Sequence, residues 1–175
     1  MPIDWIKKAF AEGNIFVAFD VETTGLDSRA DKIVEIAAVK FDNRGIIARF
    51  STLINPGIPM PAEATRVNNI NDDMLAGKPS LNEVLPDFLH FIKGAVLSAH
   101  NAPFDCGFIN KNLNTGLDNR IADTLVLSRE LFPGLRSYSL QNLAAALELS
   151  TQNAHRAEDD AILCMEILMR CIGGV

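Results

Sequence analysis

Tryptophan and tyrosine are almost missing from this chain, one residue of each in 175, and cysteine occurs only three times. The lone aromatics Trp5 and Tyr138 therefore read as packing residues rather than as a stacking platform. Cys106, Cys164 and Cys171 form an odd set with no C-x-x-C pair, which argues against a disulfide framework and against a zinc ribbon. Cys164 and Cys171 lie seven apart in an apolar helical pattern and read as core. No unbroken apolar run approaches the ~20 residues of a membrane span, so an integral membrane protein is excluded. Asp4, Lys7 and Lys8 stand where a secretory signal would carry its apolar stretch, and the expected compartment is the cytoplasm. Positive charge is also in deficit. Sixteen Lys and Arg face twenty-two Asp and Glu, a net charge of -6 with a pI near 5.0, so any binding of a polyanion has to be local. Acids gathered around divalent cations count as negative in this sum although they work neutralised.

What remains is an ordinary globular composition. At 19.1 kDa, with 48% hydrophobic and 22% charged residues, the chain predicts one domain, residues 1–175, with no internal repeat or linker. A short leader helix is expected over Asp4 to Ala11. Ile15 to Glu22, Ile33 to Phe41 and Ile47 to Ile54 are rich in β-branched and aromatic residues and read as consecutive strands. Asp42-Asn43-Arg44-Gly45 is a turn sequence that makes the last two an antiparallel hairpin, and Asn55-Pro56-Gly57 ends the meander. Ala62 to Leu75 is helical in pieces, interrupted around Asn68 to Asn71. Ser80 with Glu83 fits a capping box opening a helix to about Ile92. Ala95 to Ala99 and Ile121 to Thr124 are short strands, and Pro103 opens a helix to Leu113. Three helices, Thr124 to Leu131, Ser139 to Leu147 and Ala157 to Cys171, complete an α/β chain with a mixed five-stranded sheet covered by helices on both faces.

Three segments carry chemistry. In Phe19-Asp20-Val21-Glu22-Thr23-Thr24-Gly25 the strand period of two puts Asp20 and Glu22 on one face and Phe19 and Val21 on the other. Two like charges about 4 Å apart repel by roughly 1 kcal/mol in water and about 4 at an effective dielectric of 20, so the pair needs a proton, a base or a metal. Alone, such a pair is more often a solvated edge. His100-Asn101-Ala102-Pro103-Phe104-Asp105 places Asp105 in a first helical turn, where acids are favoured anyway, and His100 or Asn101 has an ordinary use in satisfying the turn backbone. His155-Arg156-Ala157-Glu158-Asp159-Asp160-Ala161 opens the last helix and is acidic in the usual way, yet Asp160 lies beside the apolar stripe of that helix.

In this order and spacing the three segments resemble the motifs of the DEDDh 3′-5′ exonucleases, and the resemblance spans nearly the whole chain. That family includes the proofreading epsilon subunits of bacterial DNA polymerase III, PolC-type proofreading domains and ribonuclease T. The run Asp31 to Val39, Ile54-Asn55-Pro56 and Pro61 to Thr65 match as well. The resemblance implies a ribonuclease-H-like fold and removal of nucleoside 5′-monophosphates from the 3′ end of DNA. It implies Asp20, Glu22, Asp105 and Asp160 as ligands of two Mg²⁺ or Mn²⁺ ions, and His155 as general base with an unperturbed pKa of roughly 6.5. The spacing H-x-A-x-x-D-A selects Asp160 and leaves Asp159 to solvent. Thr23, Thr24, Gly25, Leu26 and Phe104 are the implied contacts to the terminal nucleotide, Phe104 serving equally well as core. Asn68-Asn69 stands where the family often has His-Gly, so Asn68 can hydrogen-bond but never become cationic.

The expected partners are single-stranded or frayed 3′ ends of DNA, with RNA as the near alternative because no motif reports on the 2′-OH. A noncatalytic subunit that binds nucleic acid or a polymerase is the alternative of another class. Lys7, Lys8, Lys78, Lys93, Lys111 and Arg136 form no basic run and read mainly as solvated surface. The chain ends four residues after Cys171, which sets the expectation of a stand-alone enzyme or an excised domain. A polymerase remains an expected partner, and no stripe decides the oligomeric state.

Overall fold

The first three strands follow one another because runs of β-branched and aromatic residues are separated only by the loop 24–32 and a tight turn at 43–44. A computed structural model describes residues 2–149 and 156–173, and opens with helix α1 (Pro2–Ala11), then strands β1 (Phe16–Thr23), β2 (Ile33–Asp42) and β3 (Gly45–Leu53). The β2–β3 turn is tighter than the sequence suggests. Asp42 pairs with Gly45, so β3 starts two residues before Ile47, with Gly45 at φ 132. The short helices α2 (Ala62–Asn68) and α3 (Asp72–Leu75) are the expected pieces. Helix α4 (Leu81–Ile92) opens on the Ser80–Glu83 capping box.

Strand β4 (Val96–Ala99), helix α5 (Ala102–Asn110), strand β5 (Ile121–Asp123) and helices α6 (Thr124–Leu131), α7 (Leu140–Ala146) and α8 (Ala157–Gly173) complete the order. Helix α5 stops short of Leu113. The Asn110 side chain accepts the Leu117 amide at 2.8 Å and the Lys111 ammonium reaches back to the carbonyl of Arg29 at 2.9 Å, so this polar stretch is drawn out of the helix. The sheet order is β3-β2-β1-β4-β5, antiparallel across β1–β2 and β2–β3, parallel across β1–β4 and β4–β5.

Alternation along β1 divides the core. Val17, Phe19 and Val21 pack with Phe88 and Ile92 of α4 and Phe108 of α5 on one face of the sheet. Phe16 and Ala18 pack with Ile6 of α1, Leu143 of α7 and Ile167 and Leu168 of α8 on the other. Burying one such aliphatic side chain stabilises by about 1.5–3 kcal/mol. The three cysteines are buried in these layers. Trp5 packs at the edge under the Arg120 guanidinium, 3.7 Å from its ring, and the Tyr138 hydroxyl donates to the Phe132 carbonyl at 2.8 Å. Among the described residues no helix is long and apolar enough to cross a membrane.

Candidate active site

Because Phe16 and Ala18 face α8, so do Asp20 and Glu22, two and four residues further along the same strand. Helix α8 lies across that face and brings Asp160 from its first turn. One carboxylate oxygen from each of Asp20, Glu22 and Asp160 lies within 4.8 Å of the others. Asp159 is not part of that group and lines a cavity of about 330 Å³ with Glu35, Ser51, Arg156 and Glu158. Asp160 is buried, and its Oδ1 accepts a hydrogen bond from the Gln141 amide of α7 at 3.0 Å.

Asp105 reaches the same region from the other side of the sheet. The β1–β4 register ends at Ala18 and Ser98, and three residues on the Val21 amide donates to Asp105 Oδ1 at 3.1 Å. Asp105 thus caps the open edge of β1 and stands outside the group formed by the other three carboxylates. Its helix is fixed by Asp123, which accepts the amide of Ala102 at 3.0 Å and those of Leu125 and Val126 in α6. Asn101 turns the chain in the left-handed region, φ 71, which Asn tolerates better than most residues. The His100 ring donates from Nε2 to the Tyr138 carbonyl at 2.8 Å and meets Thr124 Oγ1 at 3.0 Å through Nδ1. Burial holds its pKa below the ordinary value, against the opposing effect of the Tyr138 hydrogen bond.

The acids crowd one another. Burial first, then the charges of Asp105, Glu22, Asp160 and Glu35, push the Asp20 carboxyl well above its ordinary range. Burial followed by Asp160 and Glu35 raises Glu22 to about 8, with an Asn68 hydrogen bond pulling the other way, and burial raises Asp105 to about 8. Carboxylates so placed need positive charge to ionise together at neutral pH. Among the described residues the converging group offers three carboxylate oxygens and no nitrogen or sulfur, a donor set suited to a hard divalent cation.

The loop after β1 is tied to itself. Thr23 Oγ1 donates to the Gly25 carbonyl at 2.6 Å, and Thr24 Oγ1 donates to Asp31 at 3.3 Å while accepting the Lys32 amide at 3.0 Å. A side chain on Gly25 would fall on the Asp31 carboxylate, so this glycine is set by close approach. Buried Asn68 donates to the Thr23 carbonyl at 3.3 Å and accepts the Ile70 amide at 3.1 Å. Asn69 sits in the left-handed region, φ 57, at the end of α2, where Gly would be usual. Together Gly25, Leu26, Ala64, Val67, Asn68 and Phe104 line much of a cavity of about 510 Å³ that reaches Glu22. Leu26 is 86% exposed at its mouth, whereas Phe104 packs on Phe108 with ring centres 5.0 Å apart.

Two site residues escape sequence reasoning. Gln141 has no motif around it. Glu35 lies opposite Glu22 across β1–β2, is 2% exposed and pairs with Arg156, and its one signal is to be an acid inside the apolar run Ile33 to Val39. Lys111 is occupied by the Arg29 and Asp31 carbonyls, while Lys7, Lys8, Lys78, Lys93 and Arg136 are exposed. His155 lies outside the described residues.

The chain is similar to known exonucleases along nearly its whole length. The family model described as exonuclease matches residues 17–168. The DNA polymerase III subunit epsilon of Treponema pallidum is 48% identical over 98% of this chain and 82% of its own length. The PolC-type DNA polymerase III of Caldanaerobacter subterraneus subsp. tengcongensis is 44% identical over 95% of this chain, which spans only 12% of that much longer relative. Among solved structures, exonuclease X in complex with 5′ overhanging duplex DNA superposes with a TM-score of 0.74 at 28% identity, over 91% of this chain and 94% of that one. Exonuclease I, at 19% identity, shares the fold with a TM-score of 0.77 over 90% of this chain and 41% of its own. With the match running from the second residue of β1 into α8, and so across all the elements that bring the acids together, the chain belongs to the exonuclease family.

Proposed function

We propose that the chain hydrolyses phosphodiester bonds from the 3′ end of DNA, releasing nucleoside 5′-monophosphates. The observation that carries this reading is the meeting of Asp20, Glu22 and Asp160 beside a largely apolar cavity of nucleotide-accommodating size. These three acids, with Asp105 as the fourth, would hold two Mg²⁺ or Mn²⁺ ions. When bound, such ions neutralise the scissile phosphate and favour attack by water. His155 takes the proton from the attacking water, a task suited to a group titrating near neutrality. Thr23, Thr24 and Gly25 present a rigid loop to the terminal nucleotide, Leu26 wedges against its base, and Asn68 and Phe104 wall the cavity.

DNA is the favoured polymer because the most similar relatives reported above are DNA polymerase III proteins and exonuclease X was solved on duplex DNA. By the same reasoning a DNA polymerase is the proposed partner, and residues 1–175 act as one exonuclease domain. The test is a time course on matched 3′-labelled single-stranded DNA and RNA oligomers with Mg²⁺, Mn²⁺ or chelator. Metal-dependent release of mononucleotides from DNA, and hardly any from RNA, is expected. The reverse preference would move the protein to RNA processing, and cleavage of neither would sink the enzymatic reading.

A further inference from the structure

We propose that Glu35 and Arg156 form a positioning clamp that holds the first turn of α8, and with it Asp160, against the carboxylate cluster, and that Glu35 adds to the cluster's attraction for cations. The inference rests on the reading of that cluster as the metal centre.

Glu35 is buried directly opposite Glu22, an arrangement of like charges that destabilises a sheet unless something offsets it. Arg156 offsets it. Its Nη2 donates to Glu35 Oε1 at 2.8 Å and its Nε to Oε2 at 3.3 Å, a two-pronged contact that fixes direction as well as charge. Oε2 also receives the Ala157 amide at 3.4 Å. That amide is one of the donors that the start of a helix leaves without an intrahelical partner, so an acid 122 positions earlier in the chain caps α8.

The contact then passes inward. The Arg156 carbonyl accepts the Asp160 amide at 3.0 Å, one helical turn on, and Gln141 holds the Asp160 carboxylate from the far side. A continuous line therefore runs from β2 through Glu35 and Arg156 to Asp160, and it starts next to the strand that bears the other two acids. Arg156 also follows directly on His155 in the sequence.

Two substitutions separate charge from geometry. Glu35→Gln keeps the size of the side chain and removes its charge, leaving Arg156 as a net cation beside the cluster. Arg156→Lys keeps the cation and loses the planar fork. With the full chain, Mn²⁺ binding is measured by calorimetry without substrate, and kcat and KM are measured on a 3′-labelled DNA oligomer. Glu35→Gln is expected to weaken Mn²⁺ binding by about tenfold, as loss of a nearby negative charge requires. Arg156→Lys is expected to lower kcat by at least about tenfold at nearly constant KM, since the first turn of α8 is no longer held in register, and to weaken Mn²⁺ binding by less than Glu35→Gln does, because no charge is lost. Unchanged Mn²⁺ binding in Glu35→Gln, or unchanged kcat in Arg156→Lys, would overturn the clamp. A wild-type protein that binds Mn²⁺ yet cuts no DNA would instead refute the proposed function, while the Mn²⁺ titration of Glu35→Gln still decides the clamp.

Discussion

Gln141 gives Asp160 a hydrogen-bond donor without bringing a charge, which suits an acid that has to stay available to a cation. Gln141→Ala should lower kcat/KM by roughly tenfold with little change in melting temperature, as is usual for groups that orient a ligand. Gln141→Glu should lower it further, because a fifth acid would face the cluster. Steady-state kinetics on a labelled oligomer checks both. Gly25 works by what it lacks: its position leaves room for Asp31, which accepts the Asp27 amide at 2.9 Å and the Thr24 hydroxyl. Gly25→Ala should displace that loop and raise KM for the oligomer by about tenfold or more, with Mn²⁺ affinity held. An unchanged KM would remove the loop from substrate binding. At this scale the sequence was informative wherever spacing alone implies a shared face, as for Asp20 and Glu22. It was silent on Gln141 and Asp123, and it marked Glu35 only as an acid inside an apolar run, because their partners lie far along the chain.

At the scale of elements, the β2–β3 hairpin carries its own electrostatic lock. Asp42 accepts the Arg44 amide at 2.7 Å and the guanidinium at 2.8 Å and 3.1 Å, and these bonds, the side chain's first, hold its carboxyl below the ordinary range. The stability this adds is present above the unfolded value of about 3.9 and is lost as pH falls through the folded value. Asp42→Asn should therefore melt slightly below wild type at neutral pH, and the gap should close on acidification as pH falls through the lowered folded value. The gap is small because Arg44 is largely exposed and the pair is screened. An equal gap at every pH, read from thermal melts, would contradict this. The strands, the capping box at Ser80 and the three final helices were legible because alternation, caps and helical spacing are local. The early end of α5 was not, since it depends on Lys111 reaching the 27–31 loop and on Asn110 meeting Leu117.

For the molecule as a whole, three of the twenty-two acids behind the net charge of -6, Asp20, Glu22 and Asp160, are brought to one place by the fold. Glu22 and Asp105, raised by burial to about 8, prefer the neutral form in the metal-free fold. Stability linked to such groups is fully present below their unfolded pKa and is lost as pH rises through the folded value. Chelated protein should therefore melt at progressively lower temperature from about pH 4 to pH 8. Added Mn²⁺ or Mg²⁺ should recover the loss at pH 8, because a cation that binds only the folded state stabilises it. A flat profile in chelator, with no response to metal, would mean that the acids are not a cation site. The family resemblance was legible across the whole chain because its three motifs lie on elements that one topology brings together. The departure at Asn68-Asn69 became interpretable only once Asn69 was placed in a left-handed turn and Asn68 against the Thr23 carbonyl.

The measurement that bears most directly on the account is single-turnover release of the 3′ nucleotide from a labelled DNA oligomer in Mn²⁺, comparing wild type with Asp20→Ala, Asp159→Ala and Asp160→Ala. Removing a carboxylate of the converging group, Asp20 or Asp160, should reduce the rate by at least about a thousandfold with the fold retained, and Asp159→Ala should keep most of it. Loss in Asp159→Ala equal to that in Asp160→Ala, or wild-type rates without Asp160, would contradict the assignment of the site.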